Sequence, residues 1–596
     1  HVGMAALWQS FGAAAWQFTQ LFHKAGLQLD AIARALWRLC ISRKHLLQWT
    51  TAAQAQAAAK YTLNVFVRKQ VFTSLACVVL VVLTLLYSPY PQAAALFMLW
   101  ALAPVFAWWV SVPVQQPKAL RLDAEERAYL MGIARDTWRF FEHCITPLDN
   151  HLPPDNLQVD NEPTLAHRTS PTNIGLYLLT VTCVRQFGWI STDDLINRLQ
   201  ATLATIERMP KHEGHLYNWY QTETLEVLQP AYVSTVDSGN LAGHLLAVSG
   251  ACNSLACKAD TTSIEKQQLE YIADQCIRLC LAMNFSGLYN AKRHLFHIGL
   301  RVTDNTLDAS FYDLLASESR LASFVAIAKG DVPRRHWMAL GRAFLSSGVT
   351  PGLKSWSGSM FEYLMPSLVM HEPGQGLLHS SSVAGVMEQQ IFGNAQSLPW
   401  GVSESAYFAQ DHSLAYQYSP FGVPRLALRR TPVSDKVVAP YASLMATMLR
   451  PKEAIANLRR MELLNARGEY GFMDAIDFTA ARQPHAEPFS VVKNYMAHHQ
   501  GMTLVALCNV LCGQAPQRWF AQTPLVAAYD TLLHERCPQQ IISSANPRMA
   551  PSTDDTLPNS AFQSRAINPT QGQWQPTHLL SNGRYSVALR PNGAGV

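Results

Sequence analysis

From Asp123 onward the chain consists of helical segments that alternate with polar loops, and few segments look like strands. Helix starts follow capping chemistry: Ser191 or Thr192 precedes two aspartates, and Pro451 is followed by Glu453. Such a series favours stacked antiparallel helix pairs, so we predict an all-α fold, an (α/α)6 toroid or barrel with its cleft at one end. The predicted helices are Ala124–Cys144, Asn173–Phe187, Thr192–Met209, Ser238–Ser249, Ser263–Met283, Tyr312–Lys329, Pro333–Phe344, Ser357–Met370, Ser380–Phe392, Ala439–Met448, Pro451–Asn465 and Val491–Leu511. The stretch Lys292–Arg301 alternates enough to predict a short hairpin.

Two uncharged apolar stretches precede this region, Val71–Tyr87 and Ala93–Val112. Each approaches the roughly 20 residues that a helix needs to cross a bilayer. Basic residues flank both outer ends: Arg68, Lys69, Lys118 and Arg121. This distribution predicts a transmembrane helical hairpin with both ends on the cytoplasmic side. A hairpin buried in a soluble core is the alternative.

Composition narrows the class of protein. Charged residues make up 15% of the 596 residues, below the roughly 25% typical of soluble domains. The net charge is only +5 and no long Lys/Arg block occurs, which argues against nucleic acid as a partner.

The spacing of the eleven cysteines is not typical of a disulfide-bonded protein. Cys276 and Cys280, like Cys508 and Cys512, have same-face helical spacing, which favours buried, reduced thiols over a zinc pair.

The ends of the chain suggest a piece of a larger polypeptide. It starts at His1, and the stretch from His578 to Val587 resembles the opening strand of a further domain. Residues 1–60 are helical in pattern and fit either a helix in the membrane interface or one packed on a neighbouring domain. The expected units are an interfacial segment at 1–60, the transmembrane hairpin at 61–122, a glycan-processing (α/α)6 domain at 123–540, and a linker with the start of another domain at 541–596.

Two acidic motifs point to glycan chemistry. The stretches Phe311–Phe324 and Leu398–Tyr407 set Glu318 and Glu404 among aromatic and small hydroxyl residues. Cleavage of a glycosidic bond needs one carboxyl that protonates the leaving oxygen and another that stabilises or captures the cation-like sugar. The simpler interpretations are that Glu318 is a solvated surface residue or pairs with Arg320, and that Glu404 caps a helix.

Other polar residues are weaker candidates for the site. Asp237 lies where a helix begins, and its role is either capping or contact with a sugar hydroxyl. Glu362 follows small residues that admit a ligand, but it also fits a buried, hydrogen-bonded role. Asp474 or Asp477 is the candidate for the base of an inverting enzyme, or for fixing a loop.

Aromatic and amide side chains complete the predicted cleft. Adjacent histidines face different sides of a helix, so we expect His498, His499 and Gln500 to bind sugar hydroxyls rather than a metal. Aromatic rings bind the C–H faces of sugars and exclude water. The remaining predicted substrate-binding residues are Tyr312, Asp313, Trp356, Trp400, Tyr407 and Tyr416.

These motifs together resemble the middle region of bacterial cyclic β-1,2-glucan synthases, in the same order from about Asp123 to the end of the chain. The matching stretches are Val233–Leu246, Tyr312–Phe324, Asp331–Trp337, Trp356–Met365, Trp400–Tyr407, Tyr416–Pro424, Val438–Tyr441, Asn494–Leu507 and Leu579–Val587. In that family the region lies between a membrane-embedded glucosyltransferase and a phosphorylase-like domain. The resemblance implies those two flanking partners, membrane attachment through residues 71–112, and a catalytic domain on the cytoplasmic side of the bacterial inner membrane.

The resemblance also implies an activity: a retaining transglycosylase cuts linear β-1,2-glucan and rejoins its ends into a ring, without metal or cofactor. It places Glu318 as general acid/base and Glu404 as nucleophile, although the two roles are interchangeable at this stage. Their oxygens are then expected roughly 5–5.5 Å apart. Asp474 stands where many relatives carry Glu. Two alternatives stay open: an inverting endo-β-1,2-glucanase and a non-catalytic module that guides glucan.

Overall fold

The computed structural model describes residues 2–44, 62–111, 121–538, 578–581 and 586–590, apart from the positions 161, 259–260, 346–351, 375, 412–413, 429–434 and 485–486 within them. The chain divides into two compact units, His1–Pro117 and Lys118–Val596. Most of the predicted segment 541–596 lies outside the described residues.

The secondary structure of the first unit is helical over its described residues, with a short non-helical connection at 88–92. Its helices are Val2–Thr19, Leu21–Trp37, Leu63–Tyr87, Ala93–Ala101 and Ala103–Ser111, with a π-helical turn at Arg38–Ser42. Leu63–Tyr87 is long and apolar enough to cross a membrane, and the last two helices, bent by 46°, pass the same test only as a pair. Inside the unit, Gln70 donates to Gln20 at 3.3 Å, and Gln20 donates to the Ala103 carbonyl at 3.0 Å.

The second unit contains a large core surrounded by helices. Its α-helices are Ala124–Cys144, Pro171–Phe187, Thr192–Arg208, Thr235–Ala256, Ser263–Ala282, Ser319–Lys329, Arg335–Ala339, Met360–Leu364, Leu377–Ala395, Pro440–Ala446, Pro451–Glu462, Ala497–Leu511, Ala515–Gln522 and Pro524–Ala527. Short 3-10 helices occur at Phe285–Leu288, Pro366–Leu368, Ala480–Arg482 and Asp530–His534. The helix-rich prediction is confirmed. Cys276, Cys280 and Cys508 are buried, as their spacing predicted, whereas Cys512 is only partly buried because it lies just after the end of the Ala497–Leu511 helix.

One helix, Thr235–Ala256, occupies the centre of this packing. It contacts the helices Pro171–Phe187, Ser263–Ala282, Ser319–Lys329 and Ala515–Gln522. A Cβ added at Gly239 would lie 2.2 Å from the Cβ of Ala322, so the absence of a side chain permits the close approach of two helices there. This approach brings Asn240 next to Glu318, which lies directly before the Ser319–Lys329 helix.

Several predicted helix boundaries are wrong, because turns and strand pairing with distant segments replace the expected helical residues. The helix expected from Tyr312 begins only at Ser319, because residues 313–318 form turns. The helix expected from Val491 begins at Ala497. Its first residues instead form strands that pair with segments far away in sequence. The expected helices at 333–344 and 357–370 shrink to single turns.

Short strands, which the sequence mostly assigned to loops, form small antiparallel sheets. The three-stranded sheets are Asn494–Met496, Asn156–Gln158 and Thr164–Leu165; Thr306–Leu307, Gly299–Arg301 and Tyr232–Ser234; and Val437–Val438, Ala475–Asp477 and Ser490–Val492. The two-stranded pairs are Arg168–Thr169 with Tyr220–Gln221, Lys211–His212 with His215–Leu216, Tyr289–Asn290 with Leu295–Phe296, Ser405–Gln410 with Tyr416–Ser419, Arg467–Gly468 with Gly471–Phe472, and His578–Ser581 with Ser586–Leu589. Loops between strands and helices carry the candidate site residues.

Candidate active site

Glu318 is a buried carboxyl held by two side-chain donors. Asn240 donates to its Oε1 at 2.7 Å, and the Ser317 hydroxyl donates to its Oε2. Burial raises the pKa of Glu318 to about 7, the nearby charge of Asp237 adds to that rise, and the two donors oppose it. Ser317 itself has a φ of 51°, a strained conformation for a residue other than glycine. A carboxyl that is half-protonated near neutral pH suits a general acid.

Asp237 lies beside Glu318 and shares its hydrogen-bond network. Thr172 donates to Asp237 Oδ1 at 2.6 Å, and Asn218 donates to Oδ2 at 3.2 Å. Asn240 donates to the Thr172 hydroxyl as well as to Glu318, so it links the two acids. Burial raises the pKa of Asp237. The helix cap itself is Ser234, which accepts from the Asp237 backbone N–H, so the Asp237 side chain is not the cap.

Glu404 lies on a second loop and is more accessible than Glu318. Its side chain is half-buried, and Tyr418 donates to its Oε1 at 2.9 Å. The loop is fixed by its backbone: the Glu404 N–H donates to Ser359 Oγ, and the Glu404 carbonyl accepts from Tyr441. Tyr418 itself keeps 40% of its surface exposed.

Glu362 connects the loops that carry Glu318 and Glu404. Its carboxylate accepts from the backbone N–H groups of Ser357, Gly358, Ser359 and Ser317. Gly358 has a φ of +81°, which turns the chain around the carboxylate. Glu362 is 2% exposed, so the structure gives it the loop-holding role rather than the sugar contact predicted as an alternative.

Asp474 is buried behind Glu404 and both of its oxygens have partners. Oδ1 lies 2.5 Å from His499 Nδ1, and Oδ2 accepts from the Ala406 N–H at 2.7 Å. Burial raises the pKa of Asp474 to about 7 and lowers the pKa of His499 well below its usual value. Asp477 is also buried, and it accepts from Arg482 and from the backbone N–H groups of Phe408 and Thr479. These contacts position backbone and side chains and leave neither aspartate exposed to water.

Two tyrosines lie within the electrostatic reach of both candidate glutamates. Burial raises the pKa of Tyr312 and of Tyr441 well above the usual value, and the charges of Glu318 and Glu404 both raise it further. Tyr312 packs on Val236 and Ala316. The charges of Glu318 and Glu404 therefore both reach these two tyrosines.

An open cavity of about 350 Å³ adjoins the loop before Glu318. Its wall includes Trp356, 41% exposed, together with Asp313 and Lys354. Asp313 accepts from the backbone N–H groups of Leu314 and Gly341, so its carboxylate also fixes the loop. Among the aromatic residues predicted to contact sugar, Trp356 presents an exposed ring beside a cavity.

The structure directs the other predicted contacts elsewhere. Trp400 is buried in the core. Tyr407 packs against Arg482, and Tyr416 donates to Asp160 at 3.2 Å. Gln500 is buried and donates to the Phe472 carbonyl at 3.2 Å. His498 lies 3.3 Å from the Tyr418 hydroxyl, which keeps it next to the site.

Sequence reasoning missed Asn240, Tyr418 and Tyr441, the partners of the two glutamates. All three lie inside stretches that resemble the synthases, and only that resemblance could have found them. Their proximity to Glu318 or Glu404 depends on contacts between residues 14 to 78 positions apart.

Comparisons with known proteins bear on the family and the fold of the chain. The Glycoamylase family model matches residues 310–523. The cyclic beta-(1,2)-glucan synthase NdvB of Rhizobium meliloti (strain 1021) is 38% identical over 96% of this chain. The chain resembles part of a cyclic β-1,2-glucan synthase. That prediction is confirmed, and the chain spans 24% of the length of the relative it matches.

Two solved structures share the fold at low identity. The endo-beta-1,2-glucanase of Chitinophaga pinensis has a TM-score of 0.56 and 16% identity, covering 70% of this chain and all of that one. The endo-beta-1,2-glucanase of Talaromyces funiculosus has a TM-score of 0.55 and 13% identity, covering 71% of this chain and 95% of that one. The synthase-like segment therefore has a fold similar to that of the (α/α)6 glucanases, and the chain is a relative of glucan-processing enzymes.

Proposed function

We propose that residues 123–540 form a retaining transglycosylase that cyclises linear β-1,2-glucan by intramolecular transfer. The observation that carries the proposal is the different environment of two carboxyls whose charges both reach Tyr312 and Tyr441. Glu318 is buried with a pKa raised to about 7, whereas Glu404 is half-buried beside a tyrosine donor. A retaining enzyme needs such a pair, one carboxyl kept protonated and the other kept as a carboxylate.

In the first step, a carboxylate oxygen of Glu404 attacks the anomeric carbon while Glu318 gives its proton to the leaving glycosidic oxygen. The bond from carbon to leaving oxygen breaks, and a glucosyl ester of Glu404 forms. In the second step, a hydroxyl at the far end of the same glucan attacks that carbon. Glu318 takes back a proton and the carboxylate of Glu404 departs.

Ring closure is a competition between water and the chain's own hydroxyl. Holding that hydroxyl close to the glucosyl ester gives it a large effective concentration. The exposed ring of Trp356 beside the cavity offers a surface on which the curved glucan can rest. The fold similarity to endo-β-1,2-glucanases supports β-1,2-glucan as the substrate class.

An inverting glucanase on the same scaffold would need a base exposed to water. The predicted candidates, Asp474 and Asp477, are buried and fully hydrogen-bonded, which favours the retaining mechanism. A non-catalytic module that guides glucan would bind the polymer without cleaving it. The raised pKa of Glu318 and the tyrosine donor at Glu404 favour an enzyme instead.

The test is incubation of the chain with linear β-1,2-glucan. We expect products without reducing ends that resist exo-acting glucosidases. Glu318→Gln and Glu404→Gln should each lower turnover by about a thousandfold or more while the protein stays folded. Near-normal turnover of either variant removes that residue from the mechanism. Short linear products of inverted configuration support the glucanase, and glucan binding without cleavage supports the guiding module.

The azide products of two alanine variants show which glutamate is the nucleophile and which is the general acid/base. In Glu404→Ala, azide can replace the missing nucleophile and give an α-glucosyl azide, because it attacks from the side of the lost carboxylate. In Glu318→Ala, a substrate whose leaving group departs without protonation forms the glucosyl ester on Glu404, and azide attacks that ester and gives the β-glucosyl azide. The opposite pattern of products exchanges the roles of the two glutamates.

A further inference from the structure

Behind Glu404, four side chains form a continuous line of polar contacts. Asp474 Oδ1 lies 2.5 Å from His499 Nδ1, and His499 Nε2 lies 3.4 Å from the Tyr418 hydroxyl. Tyr418 donates to Glu404 Oε1 at 2.9 Å. Tyr441 stacks on the His499 ring with centroids 3.7 Å apart, so the imidazole cannot rotate freely.

The Tyr418 hydroxyl has a single proton, and the acceptor of that proton determines whether Tyr418 donates to Glu404. Two histidine nitrogens lie within reach of the Tyr418 oxygen, at 3.3 Å for His498 and 3.4 Å for His499. If His499 Nε2 carries no proton, it competes with Glu404 for the proton of Tyr418. If His499 Nε2 carries a proton, it donates to the phenol oxygen. The phenol proton then goes to Glu404 Oε1, which at 2.9 Å is a nearer acceptor than His498 Nε2 at 3.3 Å.

The protonation of the Asp474–His499 pair determines which case holds. With two protons the Asp474–His499 pair has no net charge. One proton is shared between Asp474 and His499 Nδ1, and the other lies on Nε2. Nε2–H is therefore present wherever the shared proton lies. With one proton the pair has a net negative charge, and Nε2 is bare when the proton lies on Nδ1. Both side chains are almost completely buried, and burial disfavours the charged state.

We propose that Asp474 and His499 are positioning residues, which share two protons and orient the Tyr418 hydroxyl toward Glu404. This inference rests on the proposed function, in which Glu404 is the nucleophile. Asp474 therefore acts through His499 and Tyr418 and does not activate water. The raised pKa of Asp474, about 7, is consistent with the two-proton state near neutral pH.

Loss of one proton from the pair should weaken catalysis. The resulting negative charge faces the region of Glu404, and the bare Nε2 competes for the proton that Glu404 needs. Activity should therefore fall on the alkaline side for two reasons, ionisation of Glu318 and ionisation of the pair. The other titratable groups that face the pair or Glu404 are Asp155, Tyr312, Tyr418, Tyr441 and His498.

The decisive variant is Asp474→Asn in the full chain. Its amide oxygen can accept from the Ala406 N–H as Oδ2 does, and its amide N–H can donate to His499 Nδ1, which fixes the proton on Nε2. We expect turnover within about tenfold of wild type at about pH 6. On the alkaline side, the slope of log kcat/KM against pH should change from about minus two to about minus one.

A second variant and a matched control test the role of Tyr418 and the specificity of the effect at Asp474. Tyr418→Phe removes the donor to Glu404, so turnover should fall and the acidic limb of the profile should move to higher pH, because the carboxylate loses a hydrogen bond. Asp477→Asn is the matched control, since it changes another buried aspartate, the last residue of the strand Ala475–Asp477 that directly follows Asp474. It should lower the melting temperature by leaving Arg482 without this carboxylate, but the alkaline slope should stay that of wild type.

Each outcome has a distinct meaning. If Asp474→Asn keeps the wild-type alkaline slope, the two-proton pair is wrong. If it loses cleavage at every pH while it stays folded and Glu404→Gln is also inactive, Asp474 has a role other than positioning, and the inference is overturned while Glu404 remains catalytic. If Glu404→Gln retains activity, the proposed function itself fails.

Discussion

Asn240 donates a 2.7 Å hydrogen bond to Glu318, a carboxyl whose pKa burial raises to about 7. The donor stabilises the carboxylate, but the buried surroundings favour the neutral acid, and burial prevails. The fold therefore holds Glu318 in a state that costs stability whenever the residue is ionised. The contact depends on the close approach at Gly239, where the two helices meet without an intervening side chain.

Glu318→Gln should stabilise the protein at alkaline pH. Because the folded-state pKa is raised above the unfolded value, stability is lost as pH rises from about 4.5 to about 7. The shift corresponds to a cost on the order of 3 kcal/mol, which glutamine avoids because it resembles the neutral acid. The melting temperature of the variant should exceed that of wild type at about pH 8 and approach it at about pH 5. Equal melting temperatures at both pH values would contradict the raised pKa.

Membrane attachment is a separate prediction for the first unit. We propose that Leu63–Tyr87 spans the bilayer, with the bent pair Ala93–Ala101 and Ala103–Ser111 as the return segment. The chain should then remain in the membrane fraction after alkaline carbonate extraction. Replacing Val78, Val79 and Val82, all exposed on this helix, with Asp should release it, at a cost of about 3 kcal/mol for each charge at the bilayer centre.

The control for extraction is Leu148→Asp, which changes an exposed apolar residue of the second unit. It should leave the distribution between fractions unchanged. Release of the wild-type chain by carbonate would favour a peripheral association instead.

The existence of most long helices was predictable from local signals, and the helix boundaries were not. Ser191 caps a helix and Pro451 opens one, as their chemistry predicted. By contrast, Val491 and Tyr495 join strands, because their partners lie elsewhere in the chain: Tyr495 pairs with Leu157 and Val491 with Ile476. An apolar periodicity cannot reveal such long-range pairing.

In the candidate site, too, the sequence identified some residues, whereas others depend on contacts between distant segments. The motifs identified Glu318 and Glu404 as candidates, and Asn240 and Tyr418 reach them only through tertiary contacts. Trp400 was expected in the cleft because it is aromatic and close to Glu404 in sequence. It faces the core instead, since its backbone is bound by Asn457 and a Cβ at Gly393 would lie 2.9 Å from its own Cβ.

Trp356→Ala should weaken glucan binding more than it slows chemistry. The exposed ring forms part of the cavity next to the Glu318 loop, and stacking on a sugar contributes about 1 kcal/mol or more. We expect KM for linear β-1,2-glucan to rise about tenfold, with a smaller change in kcat. Tyr271→Ala, which removes an exposed ring from a helix outside the cavity lining, should leave KM unchanged. An unaltered KM for Trp356→Ala would remove this residue from the glucan path.

Glu362→Gln should disturb both catalytic loops at once. The carboxylate accepts from Ser317, next to Glu318, and from Ser359, whose hydroxyl accepts from the Glu404 N–H. A glutamine has one side-chain oxygen, and its NH2 group would face backbone N–H donors that then lose their acceptor. Each unsatisfied buried donor costs about 1–3 kcal/mol, so the melting temperature should fall.

Turnover distinguishes loss of the support that Glu362 gives to both catalytic loops from a general loss of stability. Glu362→Gln should lower kcat by about a hundredfold at temperatures where the variant is fully folded, because the geometry of Glu318 and Glu404 relaxes together. Glu388→Gln is the matched control: Glu388 is a buried glutamate of the Leu377–Ala395 helix, and its carboxylate pairs with Arg425. It should lower stability with little effect on kcat. A folded Glu362→Gln enzyme with normal kcat would show that the two loops keep their geometry without this carboxylate.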